Sequence, residues 1–415
     1  MFKIKKNSSS INSIVYMISS LISFVLAFLI NVILTNYSVN EEVYGQYKYS
    51  TNFILTIPAI FSLGITWSCA SLLAKDVDNS RGICTISIVS TAVIGIVVTI
   101  GLYALSYISD LLEVSLFQDA KIVYPFVTVF LLQKLVNQIY TGQGQALQLS
   151  IYNVAPNLIV VLGLIIYIFV FHSLDYTFSI LIYLFSYLII IIPKLLRIRF
   201  DFSNYKTDAR ILFRDVKANG LKVHLSSVFT TSSTQIIALV CGNIYGYAEY
   251  GFYSLAASLA TVFQLIGSAV AVVNFKQYAN TERIKFKDFI FMFILGGVAY
   301  LCMFFLIDIV FFWFYPESYS PTILYLRLLC LSNLIYGFSA LFNRFFIVKG
   351  LGGKVMKNSF ITAVASIVFN IPLIFLFKMK GMAVAAIIVS LVNLGAYIVD
   401  YIRYIRNKVT PNDNE

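Results

Sequence analysis

Glu42-Val43-Tyr44-Gly45-Gln46-Tyr47 and Glu249-Tyr250-Gly251-Phe252-Tyr253 share a Tyr-Gly-x-Tyr element, and 206 residues separate the two copies in a chain of 415. Each copy stands in a short polar break between long apolar stretches. An interval of half the chain length predicts two copies of one unit. Composition says what kind of unit it is. The chain is 59% hydrophobic, 16% aromatic and only 12% charged. Soluble domains carry about 25% charged residues, so this chain belongs in a bilayer.

A spanning helix needs about 20 mostly apolar residues. Cutting the sequence at its polar breaks yields spans at 12–35, 50–74, 83–108, 122–144, 152–172 and 177–198, then at 221–245, 252–275, 287–314, 321–347, 356–377 and 381–402. Six precede the midpoint and six follow it. The Tyr-Gly element falls after the first span of each set, and a weaker echo at the same interval pairs Gly144 with Gly350. The predicted fold is therefore an all-α integral membrane protein with about 12 transmembrane helices in two six-helix lobes. An N-terminal lobe covers 1–198, a cytoplasmic amphipathic linker 199–220, a C-terminal lobe 221–405 and a polar tail 406–415. In the linker, Ile211, Leu212, Phe213 and Val216 interleave with Arg210, Arg214 and Lys217. That pattern suits either a helix lying on the anionic inner leaflet or a solvated basic loop.

Lys and Arg set the orientation. With both termini in the cytoplasm, 24 of the 30 basic residues fall in loops and tails on that side, which is the positive-inside asymmetry. The net charge of +11 is then a matter of topology, and no nucleic-acid partner is implied. The basic start Met1-Phe2-Lys3-Ile4-Lys5-Lys6 leads into an apolar stretch too long for a cleaved signal, so it reads as an uncleaved first span. The five cysteines have no zinc or redox spacing. The glycines at 142, 144, 350, 352 and 353 lack phosphate-loop spacing. His172 and His224 have no metal-ligand spacing and read as structural. No cofactor, metal or catalytic group is expected, and every external loop is short, so the chain is not expected to be an enzyme.

Ionisable and amide groups inside the spans are the stronger lead, because each is costly in hydrocarbon unless it meets a partner or a wet cavity. Lys134 lies near mid-span beside Gln133, and Lys134, Asn137 and Gln138 share one helical face. This stripe suits an anionic head group; equally, the lysine is paired structurally. Asp308 and Arg327 fall at the same depth on adjacent antiparallel spans, as a structural ion pair, an outer gate or an ion-coupling site. Arg344, at the inner end of its span, either snorkels or lines a cytoplasmic mouth. Asp400 and Arg403 form an i, i+3 pair that reads as structural. The run Thr230-Thr231-Ser232-Ser233-Thr234-Gln235 puts a glutamine at mid-depth, facing a cavity or a helix-packing surface. Asn31 and Gln264 are weaker candidates of the same kind. The tyrosines at 44, 47, 49, 245, 247, 250 and 253 read as an outer headgroup belt, with Tyr-Gly-x-Tyr as a turn and anchor.

With these features the whole chain resembles the polysaccharide-repeat flippases (the Wzx, or O-antigen translocase, family), of the multidrug/oligosaccharidyl-lipid/polysaccharide (MOP) exporter superfamily. The matching residues are the basic start, the Glu42–Tyr47 and Glu249–Tyr253 segments, and the twelve spans in two halves. The resemblance implies a MATE-like fold with pseudo-twofold symmetry. It implies movement of an undecaprenyl-pyrophosphate-linked oligosaccharide from the inner to the outer leaflet of the bacterial cytoplasmic membrane, by alternating access around a cationic cavity. Membrane lipids and other surface-polysaccharide assembly proteins are the implied partners, with a proton or sodium counter-ion at Asp308. Lys134 is the residue offered for the cationic role, with Arg327 and Arg344 second. The competing readings are a cation-coupled small-molecule exporter of the same superfamily and a polytopic polysaccharide polymerase. Carboxylates are scarcer than cations within the spans and large external loops are missing, which weighs against each in turn.

Overall fold

The computed structural model describes residues 9–74, 79–111, 118–273, 278 and 281–409. The basic first residues, part of the 75–82 loop and the end of the C-terminal tail lie outside them. The described chain is almost wholly helical. It divides into two compact units, Met1–Val228 and Phe229–Glu415.

The first unit contains α1 (Ser9–Tyr37), α2 (Glu41–Phe61), α3 (Ile65–Ala74), α4 (Ser80–Leu111), α5 (Val127–Gly142), α6 (Ala146–Phe171), α7 (Tyr176–Arg197) and α8 (Tyr205–Asp215). A single π-turn, Val216–Gly220, leads into α9 (Leu221–Tyr245). The second unit takes most of α9, then α10 (Tyr247–Val273), α11 (Phe286–Val310), α12 (Pro321–Val348) and α13 (Gly352–Val409). Helix α13 is two helices meeting at Lys378, which has φ 53° and ψ −137°. Ten described helical stretches are long and apolar enough to cross a bilayer, and the bent pair α2/α3 makes an eleventh. Dividing α13 at Lys378 brings the total to twelve among the described residues. Helix α11 shows why these are lipid-facing: Phe291, Phe293, Ile294, Val298 and Phe305 all stand exposed. Only an apolar solvent tolerates such a surface, while the helix satisfies its own backbone.

The interval of 206 residues is written into the backbone. It separates the helix starts Glu41 and Tyr247, Ser80 and Phe286, and Ala146 and Gly352. It separates the left-handed residues His172 and Lys378, at φ 61° and 53°, and Gly144 and Gly350, at φ 66° and 71°. The same capping hydrogen bonds recur as well. The amide of Gln145 donates to Tyr140 O and that of Leu351 to Phe346 O, both at 2.9 Å. This is the glycine-terminated helix end in which a left-handed residue lets later amides cap earlier carbonyls.

The Tyr-Gly-x-Tyr elements are helical and not turns, and their tyrosines do not form a headgroup belt. The first begins one turn into α2, whose N-cap Asn40 accepts the Val43 amide at 3.0 Å while Glu41 and Glu42 face the positive helix end. Tyr44 is 0% and Tyr250 1% exposed. Tyr44 donates to Asn31 Oδ1 at 3.3 Å, which also accounts for the polar Asn31 of α1. Tyr47 stacks edge-on against Tyr183, and Tyr253 against Tyr325. Gly45 and Gly251 are buried beside these tyrosines.

The 199–220 segment packs onto the first unit. Leu212 (0% exposed) and Val216 enter a core with Ile65, Cys69, Leu73, Ile83 and Leu135. Only part of the apolar face, including Phe213, remains exposed. Asp400 likewise departs from its expected partner. It accepts Lys357 Nζ at 2.9 Å, not Arg403, because the two legs of α13 bring a long lysine across to it.

Candidate functional site: a cation-capped helix break in the first unit

The expected span 50–74 is not one helix. Helix α2 stops at Phe61, and α3 leaves at 66° to it. Leu63 and Gly64 make the corner with φ 48° and 79°, a region that favours glycine. Gly64 is needed on a second count, since a Cβ there would lie 2.6 Å from the backbone carbon of Gly220. Pro58, one turn earlier, lies inside α2. Pro156, Pro193 and Pro372 lie inside helices without breaking them.

A helix that ends leaves its last four carbonyls without intrahelical donors, at the negative end of the helix dipole. Two side chains meet those carbonyls here. Lys134 Nζ of α5 donates to Pro58 O at 3.0 Å. His224 Nε2 of α9 lies 3.0 Å from Ile60 O, and its Nδ1 3.3 Å from Ser62 Oγ. A carbonyl accepts only, so His224 carries its proton on Nε2 and offers Nδ1 to the serine hydroxyl. The π-turn and the Gly64–Gly220 contact bring α9 close enough for this reach. His224 is therefore a capping residue of the break. Its partners lie over 160 residues away, and no sequence spacing points to them.

Lys134 is half-buried and has no carboxylate partner among the described residues. One of its three N–H bonds is spent on Pro58. On the same face of α5, Asn137 Oδ1 and Gln138 Oε1 are buried and accept nothing from the described residues. The break thus meets an ammonium from α5 and an imidazole from α9, with two buried amide oxygens one turn further along α5. In the second unit α10 runs unbroken to Val273, and its Gly267 packs on the backbone of Gly337. The position 206 residues beyond Lys134 is Ala340. Among the described residues, only the first repeat carries the polar break.

The remaining candidates lie in the second unit. Arg327 and Asp308 form an ion pair, with Arg327 also over the Phe304 ring at 4.9 Å and donating to Phe304 O at 3.4 Å. Arg344 is exposed near the C-terminal end of α12, and Gln235 is exposed in α9. The side chains of Thr230, Ser232 and Ser233 lie outside the described residues.

Twelve apolar helices in two repeated units, one with a broken helix whose carbonyl end is met by charged and titratable groups, define a multi-pass membrane protein of the transporter class. The chain belongs to the polysaccharide biosynthesis protein family, which matches residues 10–275. Its fold is that of the MOP superfamily. The inward-facing form of a multidrug resistance MATE family transporter of that superfamily superposes with a TM-score of 0.72 at 15% identity, covering 95% of this chain and 99% of that one. Lipid II flippase MurJ, in an inward closed conformation, gives 0.72 at 14% identity over 95% and 91%. A MOP transporter from Pyrococcus furiosus gives 0.62 at 16% identity over 95% and 94%. No curated protein matches the sequence significantly.

Proposed function

We propose that this protein is a flippase that carries an undecaprenyl-pyrophosphate-linked oligosaccharide repeat unit, of O-antigen or a similar surface polysaccharide. It moves this lipid from the inner to the outer leaflet of the bacterial cytoplasmic membrane, by alternating access with both termini in the cytoplasm. Membership of the polysaccharide biosynthesis family carries this reading. The fold likeness to a lipid II flippase is consistent with it.

The chemistry of the task agrees. A pyrophosphate left unpaired in hydrocarbon costs many kcal/mol, whereas a polyprenyl tail stays in lipid at no cost. Lys134 keeps two N–H donors beyond the one given to Pro58, enough to meet a phosphate oxygen without leaving its anchor. Asn137 and Gln138, one turn on, supply amide acceptors for sugar or water hydroxyls. Asp308, Arg327, Arg344 and Gln235 are further positions proposed for gating, ion coupling or cavity lining. Carriage outward of about two negative charges gains about 2.3 kcal/mol for each per 100 mV of inside-negative potential.

Deleting the gene and analysing lipid-linked sugars tests the reading. The expected result is loss of surface polysaccharide, with undecaprenyl-linked repeat units held on the inner leaflet. Intact surface polymer together with altered drug susceptibility would point instead to the small-molecule exporter reading.

A further inference from the structure

Residues of α4, α5 and α7 and the segment just after α7 line an open cavity of about 470 Å³ that lies wholly within the first unit. That volume falls in the range of small-ligand sites. Its lining includes Arg81, Lys194, Arg197 and Arg199, together with Tyr140 and Gln143, and no carboxylate. None of the four cations takes part in an ion pair among the described residues. Lys194 Nζ lies 5.6 Å from the centre of the Tyr140 ring, whose face gives it partial compensation. The acids nearby are committed elsewhere. Asp201 accepts the Ser203 hydroxyl at 2.6 Å and amide at 3.0 Å, and these bonds, more than the charge of Arg81, hold its carboxyl below the usual range. Asp208 accepts Asn79 Nδ2 at 2.7 Å.

Cytoplasmic arginines are commonly a product of topology alone. The internal repeat separates that explanation from a built site. The residues 206 positions beyond Arg81, Tyr140, Lys194 and Arg197 are Lys287, Phe346, Asp400 and Arg403. Asp400 is 3% exposed and takes Lys357 at 2.9 Å. Topology puts basic residues at both places, but the second unit sets an acid among its cations, where Asp400 pairs with Lys357. The first unit substitutes a lysine for the acid and keeps four cations around open space.

We propose that this cavity binds a lipid-borne phosphate or diphosphate head group at the cytoplasmic face. Guanidinium forks match phosphate oxygens in pairs, and basic pockets between spanning helices on that side accept anionic head groups. The head group has two sources, an anionic phospholipid of the leaflet or a prenyl-linked diphosphate. The inference rests on the membrane topology, and it stands whatever cargo is moved.

Binding to the full-length chain in phosphatidylcholine nanodiscs, followed by native mass spectrometry, tests it. One arm titrates phosphatidylglycerol and the other farnesyl diphosphate. Arg197→Gln/Arg199→Gln, and separately Lys194→Gln, are compared with the control Lys285→Gln/Lys287→Gln, which removes the same two charges as the double variant from the second unit's cytoplasmic surface. The expected result is binding by the unaltered chain that weakens about tenfold, or about 1.4 kcal/mol, in the double variant and also falls for Lys194→Gln. The control keeps its affinity. Loss confined to the phosphatidylglycerol arm identifies the phospholipid, and loss confined to the farnesyl diphosphate arm identifies the prenyl diphosphate; loss in both assigns a general phosphate site. Equal affinities of pocket variants and control, or no binding of either probe above the phosphatidylcholine background, overturns the proposal.

Discussion

Lys134 shows how one residue serves two demands. Its ammonium sits on a carbonyl freed by the end of α2, where a cation gains up to about 2 kcal/mol from the dipole in a partly buried setting. The same charge is the first unit's proposed contact for a phosphate. The two roles separate by measurement. At unchanged expression, Lys134→Ala is expected to lower polysaccharide export at least about tenfold and to destabilise the protein by about 1–2 kcal/mol. Lys134→Arg should restore stability and much of the export, since a guanidinium still donates to Pro58 and to phosphate. Export that survives Lys134→Ala intact would leave the residue a helix cap and nothing more. The sequence marked Lys134, Asn137 and Gln138 because a mid-span lysine is expensive anywhere. It could not mark His224, whose role depends entirely on Ile60 and Ser62 arriving from another helix.

At the scale of elements, the break between α2 and α3 is the feature that distinguishes the two repeats. Gly64 carries it, through a positive φ and a backbone approach to Gly220 that leaves no room for a methyl group. Gly64→Ala is therefore expected to cost more than the 1 kcal/mol or so of a left-handed non-glycine residue, because the corner must also separate from α9. A thermal unfolding transition lowered by several degrees, together with reduced export, is the expected result. An unchanged transition would mean that the corner relaxes without cost. The hydropathy of Ser62-Leu63-Gly64 reads as part of one unbroken span over 50–74. Helix count survived this because the break at Ser62 changes direction and not composition, while Lys378 and Lys380 mark the other break with charge. The tyrosine motif misled for a related reason. Polar residues at a span end look like an interfacial turn, but Asn40 and two glutamates start a helix there and carry Tyr44 inside.

For the whole molecule, the duplicated interval is the most legible feature. It appears in two short motifs of the sequence and returns as matched helix starts, matched left-handed residues and matched capping bonds. What departs from the repeat is where the proposed sites lie: a broken helix against a straight one, Lys134 against Ala340, and Lys194 against Asp400. The boundary between units was less legible. Packing of Gly220 on Gly64 and of His224 on Ile60 draws the start of α9 into the first unit, and pairwise contacts of that kind leave no trace in composition. The central claim is that the chain moves a pyrophosphate-linked glycolipid across the bilayer, assisted by the membrane potential. Its most direct test is leaflet exchange of a fluorescent undecaprenyl-pyrophosphate oligosaccharide in proteoliposomes, with a potassium-gradient potential imposed negative on the donor side. The account predicts exchange well above protein-free and Lys134→Ala vesicles, accelerating as the potential is raised; exchange equal to protein-free vesicles, or indifferent to the potential, would contradict it.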